Sequence, residues 1–177
     1  MIYLAAPFFN EVQLQRLTMI EDQLKKHEIE LFSPRLIGGV LNDMPEPQRA
    51  ASLAGVFKSN VDGIVGSALM MAGIDDKDTG TTWELGFAYG LNQWTKAYPL
   101  PIVTYSFEKT KANVMLAQAT SLHLNGHGAI SHFILKLAYW LRATQPTGPI
   151  KPRRKEVSLF LEQSTSGIQQ QNLEVSE

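Results

Sequence analysis

The sequence predicts an α/β fold: a doubly wound, flavodoxin- or Rossmann-like parallel sheet of five strands with helices on both faces. Three observations carry this. Short apolar runs alternate with stretches of helical periodicity over residues 1–143. The run ALMMA at 68–72 is apolar on both faces, as suits a strand inside a parallel sheet. A chain of 177 residues, 44% hydrophobic and 19% charged, has the make-up of one domain with a full core.

The elements follow in order. Ile2–Ala5 reads as a buried strand that stops at Pro7. Asn10 caps a helix to about residue 27, with Leu14, Leu17, Ile20 and Leu24 on one stripe. Residues 29–33 form a second strand, and PRLIGGVLNDMPEP after it is irregular. A helix over 48–65 turns Leu53, Phe57, Val61 and Ile64 inward. Strand 68–72 leads to a helix over 81–93, then a strand at 101–105. A short helix at 111–117, a strand at 121–124 and a helix over 128–142 complete the domain. Ile130, Phe133, Ile134, Leu137 and Leu141 share one face of the last helix.

In such sheets ligands bind beyond the carboxyl ends of the strands. AAPFFN, GIDDKDTG and the segment after Tyr105 all emerge on that edge. Past residue 143 the composition changes. ATQPTGPIKPRRKE is rich in proline and basic residues, and EQSTSGIQQQNLEVSE is polar and of low complexity. Residues 144–177 therefore read as a partly disordered polar tail in which 157–161 can dock, with KPRRK as a solvated linker.

Composition narrows the function. A formal net charge of −1 argues against nucleic acid or an anionic membrane as partner. With no cysteine there is no disulfide, thiolate nucleophile or zinc–thiolate site, which fits a reducing cytoplasm. No apolar run is long enough for a membrane span, and MIYLAAPFFN lacks the basic start of a secretory leader. Neither a P-loop nor a dinucleotide fingerprint is present. No spacing suggests a metal site, and His27, His123, His127 and His132 are scattered.

What stands out is AGIDDKDTGTTWELGFAYG, where Asp75, Asp76, Asp78 and Glu84 crowd a strand-to-helix junction. A structural reading is open: Thr81 with Glu84 is a capping box, and the aspartates favour the positive end of a helix. A ligand site is the other reading. Gly86, Ala88 and Gly90 are small enough to let the helix lie close to its sheet. Thr82 and Trp83 flank Glu84 and would partly desolvate it. Tyr3, Phe8 and Phe9 reach the same edge, and a carboxylate facing aromatic walls suits a flat polar ring.

IYLAAPFF, DTGTTWELGFAYG and NVMLAQA, taken together, resemble the three signature segments of nucleoside 2-deoxyribosyltransferases over roughly residues 2–124. The resemblance implies deoxynucleoside and free nucleobase substrates, no cofactor, and a homo-oligomer whose subunits share active sites. It implies that Glu84 is the nucleophile, forming a glycosyl-enzyme that a second base opens with net retention. Tyr3 matches the tyrosine that orients this carboxylate, and Asp78 the aspartate that helps hold sugar and base. Phe9, with Phe8, matches the aromatic wall of the base pocket. Asn113 and Met115 match residues that enter a neighbouring subunit's site, the asparagine binding the 5′-hydroxyl; read locally, they are a helix cap and a core methionine.

The chain departs from that pattern at Asn60, where family members often carry an aspartate for base recognition. An amide donates as well as accepts. Asp62 lies two residues on, and Asp75 or Asp76 are alternative acids. Two other functions stay open: hydrolysis of a deoxynucleoside 5′-phosphate, and non-catalytic nucleotide sensing with Glu84 only a cap.

Overall fold

A computed structural model describes residues 1–37, 48–95, 98–108, 112–165 and 175–176. Five parallel strands make the main sheet: β1 (Ile2–Ala5), β2 (Leu31–Phe32), β3 (Leu69–Gly73), β4 (Ile102–Ser106) and β6 (Leu122–Asn125). Between the last two comes β5 (Ala112–Asn113), outside this sheet. The order β2-β1-β3-β4-β6 is the doubly wound arrangement the alternation of elements predicts. Its switch point, where successive connections part to opposite sides, lies between β1 and β3. There Tyr3 pairs with Met70 and Ala5 with Ala72.

Helices cover both faces. On one, α1 (Glu11–Lys26) and α6 (His127–Thr144) lie side by side. Asn10 caps α1, its side-chain oxygen accepting from the Gln13 amide at 2.9 Å. Leu17, Ile20 and Leu24 of α1 meet Ile130, Ile134, Leu137 and Leu141 of α6 over Ile2, Leu4, Met71 and Val103. Glu21, fully buried, accepts from Ser33 at 2.7 Å and from the Arg35 guanidinium, fixing the short α2 (Pro34–Ile37) behind β2. That turn of helix begins the segment expected to be irregular; its remainder, 38–47, lies outside the described residues.

The opposite face carries α3 (Gln48–Gly66), α4 (Thr79–Trp94) and α5 (Val114–Ala119). Ile64 and Leu85 pack there against Tyr3, Phe32, Met70 and Ile102. Two expectations are corrected here. Leu53 and Phe57 do not point inward but stand 49% and 58% exposed, because helical periodicity defines a stripe without saying what covers it. Gly86 and Gly90 do not hold α4 to the sheet either, since a Cβ at either would meet nothing within 4 Å. Ala88, fully buried, is the small residue at that contact.

The end of the chain also differs. The segment after α6 stays with the domain: Ile150 bridges to Ile29, and α7 (Arg154–Thr165) buries Val157, Phe160 and Leu161 in the α1–α6 core. Residues 157–161 thus dock as expected, within a helix longer than the polar composition around them suggested. Arg154 of the basic cluster is not simply solvated, because it donates to Ser67 and Val65 carbonyls at the end of α3 at 2.8 and 2.6 Å. Residues 166–174 and 177 of the expected tail lie outside the described residues, and β7 (Val175–Ser176) pairs in parallel with β5. No described helix is long and apolar enough to cross a membrane.

Candidate active site

The site is built where β1 and β3 end. Strand β1 presents Tyr3 towards α3 and α4, where its ring stacks on Phe32 at 5.3 Å and 13°. Its hydroxyl donates to Glu84 Oε1 at 2.7 Å. Gly63 lets α3 approach this pair, since a Cβ there would stand 3.1 Å from the Phe32 ring. A chain of contacts thus runs from α3 through Phe32 and Tyr3 to a carboxylate on α4.

The capping-box reading of Glu84 fails. Asp78 is the N-cap of α4, its Oδ2 accepting from the Thr81 amide at 2.6 Å and its carbonyl from the Thr82 hydroxyl at 2.8 Å. Glu84 lies in the helix body, and its side chain is spent on Tyr3. Among the described residues nothing else hydrogen-bonds to it, so Oε2 is unbonded. Burial pushes its pKa up to about 7, the charge of Asp78 adds to the rise, and the bond from Tyr3 opposes it. The phenol is pushed above its ordinary range by burial and then by Glu84. A half-buried carboxylate with one oxygen held and one bare is equipped to act as a nucleophile.

Two loops frame it. Phe8 and Phe9 stack at 5.1 Å on the β1–α1 loop, Phe9 being 74% exposed. Gln13 ties that loop to the next, accepting from the Phe9 amide at 2.8 Å and donating to Asp76 at 3.0 Å. Asp75 is spent on architecture: its carboxylate accepts from the Phe107 amide at 2.9 Å and the Glu108 amide at 3.0 Å, with Arg16 3.9 Å away. Gln13, Phe32 and Gly63 escaped the sequence reading because no motif marks them. Gln13 meets its partner 63 positions away, a contact that only the fold creates.

The remaining candidates scatter. Asn60 is half-buried on α3, and its side chain makes no hydrogen bond among the described residues. Asp62 is exposed and paired with Lys58 one turn earlier. Trp83 turns away from Glu84 to stack on Phe87 at 5.3 Å and 6°, and meets Phe57 at 5.4 Å. Asn113 is the N-cap of α5, its Oδ1 accepting from the Met115 amide at 2.8 Å. Met115 is no core residue, being 74% exposed. Of the histidines, His123 is half-buried, its ring nitrogens 3.0 and 3.3 Å from the Thr104 and Ser106 hydroxyls, and burial lowers its pKa.

Residues 2–128 match the family model described as nucleoside 2-deoxyribosyltransferase. The chain belongs to that family. A solved 2-deoxyribosyltransferase from the psychrotolerant bacterium Bacillus psychrosaccharolyticus is 29% identical, with a TM-score of 0.59 over 85% of this chain and 97% of its own. A conserved protein from Enterococcus faecalis V583 aligns over 92% of this chain and 97% of its own at 17% identity and a TM-score of 0.47. No curated protein matches significantly. Family and solved relative together support nucleoside 2-deoxyribosyltransferase activity for the enzyme.

Proposed function

We propose that the enzyme moves 2-deoxyribose between nucleobases through a covalent intermediate on Glu84, with net retention at C1′, as a base exchange in nucleoside salvage. The observation that carries this is the Tyr3 hydroxyl on Glu84 Oε1 at 2.7 Å, which leaves Oε2 to attack. The C1′–N bond breaks with its electron pair passing to the departing base, which takes up a proton, as Oε2 bonds to C1′. The missing 2′-hydroxyl makes the oxocarbenium-like transition state easier to reach. A nitrogen of the incoming base then attacks C1′ from the face the first base left. The ester C–O pair returns to Glu84, and the new nucleoside loses the proton. Two inversions give retention.

The other residues take roles around this exchange. Asp78 uses Oδ2 as a helix cap and keeps Oδ1 for the sugar. Phe8 and Phe9 wall the base pocket, and Asn60 faces the base with an amide that both donates and accepts. Asp75 holds the loops, Asp62 remains at the surface, and Trp83 lines an interface. Asn113 and Met115 serve a neighbouring subunit's site in a homo-oligomer. The exposed Phe57 and Trp83, in contact with each other and with the half-buried Phe87, support such an assembly, because an uncovered aromatic cluster marks an interaction surface. Closure by a second subunit would also keep water from the ester. The chemistry needs no cofactor, and the cysteine-free chain suits the cytoplasm.

The test is an exchange assay with thymidine or deoxyinosine plus adenine, read by chromatography. Deoxyadenosine made by the wild type and not by Glu84→Ala is the expected result. Free base without deoxyadenosine would replace transfer by hydrolysis and make 5′-phosphates the next substrates.

A further inference from the structure

The face of the sheet opposite α4 holds a small chamber, mostly apolar with a few polar groups, that the exchange does not use. It lies between the ends of β1, β3 and β4 and the first turns of α1, with Gln13, Arg16, Asp75 and Tyr105 among its walls. The space open to the centre of a water-sized sphere is about 20 Å³. By that measure one water needs roughly 10–15 Å³, so a nucleoside is excluded and a single water fits.

Tyr105 gives the chamber its meaning. The residue is 2% exposed, and among the described residues its hydroxyl is the buried side-chain polar atom without a hydrogen-bond partner. Such atoms are rare in folded proteins, because removing a hydroxyl from water without replacing its bonds is unfavourable. Carboxylate and guanidinium groups share the chamber, and a bridging water needs two to four polar partners of that kind. Gly73 allows the geometry, since a Cβ there would stand 3.1 Å from the Tyr105 hydroxyl. The backbone entering the β3–α4 turn passes directly beneath this phenol.

We propose that the chamber binds one ordered water, to which Tyr105 donates and which Asp75 holds, and that Tyr105 thereby positions the turn leading to Asp78 and Glu84. Asp75 already ties that turn to the amides of Phe107 and Glu108. It stands three residues before Asp78, the cap from which α4 and Glu84 follow. The water adds a second tie between the end of β4 and the same turn. Only the positioning role rests on the transferase reading, because the water site stands on burial and geometry alone.

Tyr105→Phe tests both, since it removes the hydroxyl and keeps the ring. In a dry chamber, deleting an unpaired hydroxyl leaves Tm unchanged or raises it. With the water present, Tm falls by about 2–5 °C. The expected result is that fall, together with kcat reduced about 3- to 10-fold and KM nearly constant, as small misplacement of a nucleophile gives. Ordered density beside Tyr105 in a high-resolution crystal structure of the wild type is expected as well. An unchanged or raised Tm, or no density there, would overturn the water site. A lowered Tm with unchanged kcat would overturn the positioning role. Full activity in Glu84→Gln would instead defeat the transferase reading and leave the Tm result standing.

Discussion

On one face of the sheet α1, α6 and α7 close over a described cluster of twenty-two buried core residues. On the other, α3 and α4 share a described cluster of eleven, and Phe57 and Trp83 stand exposed beside the half-buried Phe87. The pair proposed as catalytic belongs to the less finished face: Tyr3 is counted in the smaller cluster, and Glu84 projects from its helix. Partial burial is what this chemistry needs. It is enough to lift the carboxylate to a pKa of about 7, yet it leaves Oε2 bare. The closed face, by contrast, holds the ends of the strands in place.

The largest effect expected is at Glu84. Glu84→Gln should lower exchange by at least about 10³-fold, as loss of a covalent nucleophile does. It should also stabilise the fold. Burial raises the folded-state pKa from 4.5 to about 7, so between those values the folded protein holds a proton that the unfolded chain releases. Stability therefore falls as pH rises through that window. Glutamine removes the penalty, a gain of about 1–3 kcal/mol above pH 7 that vanishes near pH 4. Thermal melts at pH 4 and pH 8 check the sign, and a destabilised variant at pH 8 would argue against a strained carboxylate.

Leu137→Ala, in the closed face, should cost about 2–5 kcal/mol in denaturant titrations, with a cavity where α6 met the sheet. Equal destabilisation by Trp83→Ala in the isolated subunit would break the contrast between the faces. Tyr3→Phe is a smaller, more telling change. The bond it removes lowers the pKa of Glu84, so the acid limb of kcat/KM should move above pH 7. Activity at neutral pH should drop about 10-fold while the maximum at higher pH recovers in part. A limb that stays in place would separate Tyr3 from the ionisation of Glu84.

Smaller effects sharpen the reading of the open face. Trp83→Ser should change subunit stability by less than about 1 kcal/mol, yet shift sedimentation towards the monomer. An unchanged sedimentation profile would place the interface elsewhere. EDTA should leave the exchange rate as it is, and a loss restored by a divalent cation would add a metal to the mechanism.

The sequence disclosed the sheet because strand and helix periods differ, and it disclosed Glu84 and Tyr3 because motifs carried them to one edge. The N-terminal cap of α4 was misplaced: Thr81 and Glu84 have the spacing of a capping box, but the helix starts earlier and Asp78 takes the Thr81 amide. Leu53 and Phe57 misled because an amphipathic stripe looks the same whether it meets a core or a partner. The docking of 157–161 was legible as an apolar patch, whereas the helix extending around it was masked by polar residues. Contacts such as Phe32 on Tyr3 and Gln13 on Asp76 depend on chain segments that meet only after folding, and neither residue belongs to a motif.

The measurement that bears most directly on the central claim is intact-protein mass spectrometry of enzyme quenched with a deoxynucleoside in the absence of an acceptor base. A deoxyribosyl adduct on the peptide containing Glu84, discharged when adenine is added and absent in Glu84→Gln, is the expected result. Turnover with no adduct, or an adduct on another residue, would contradict the assignment of Glu84 as the nucleophile.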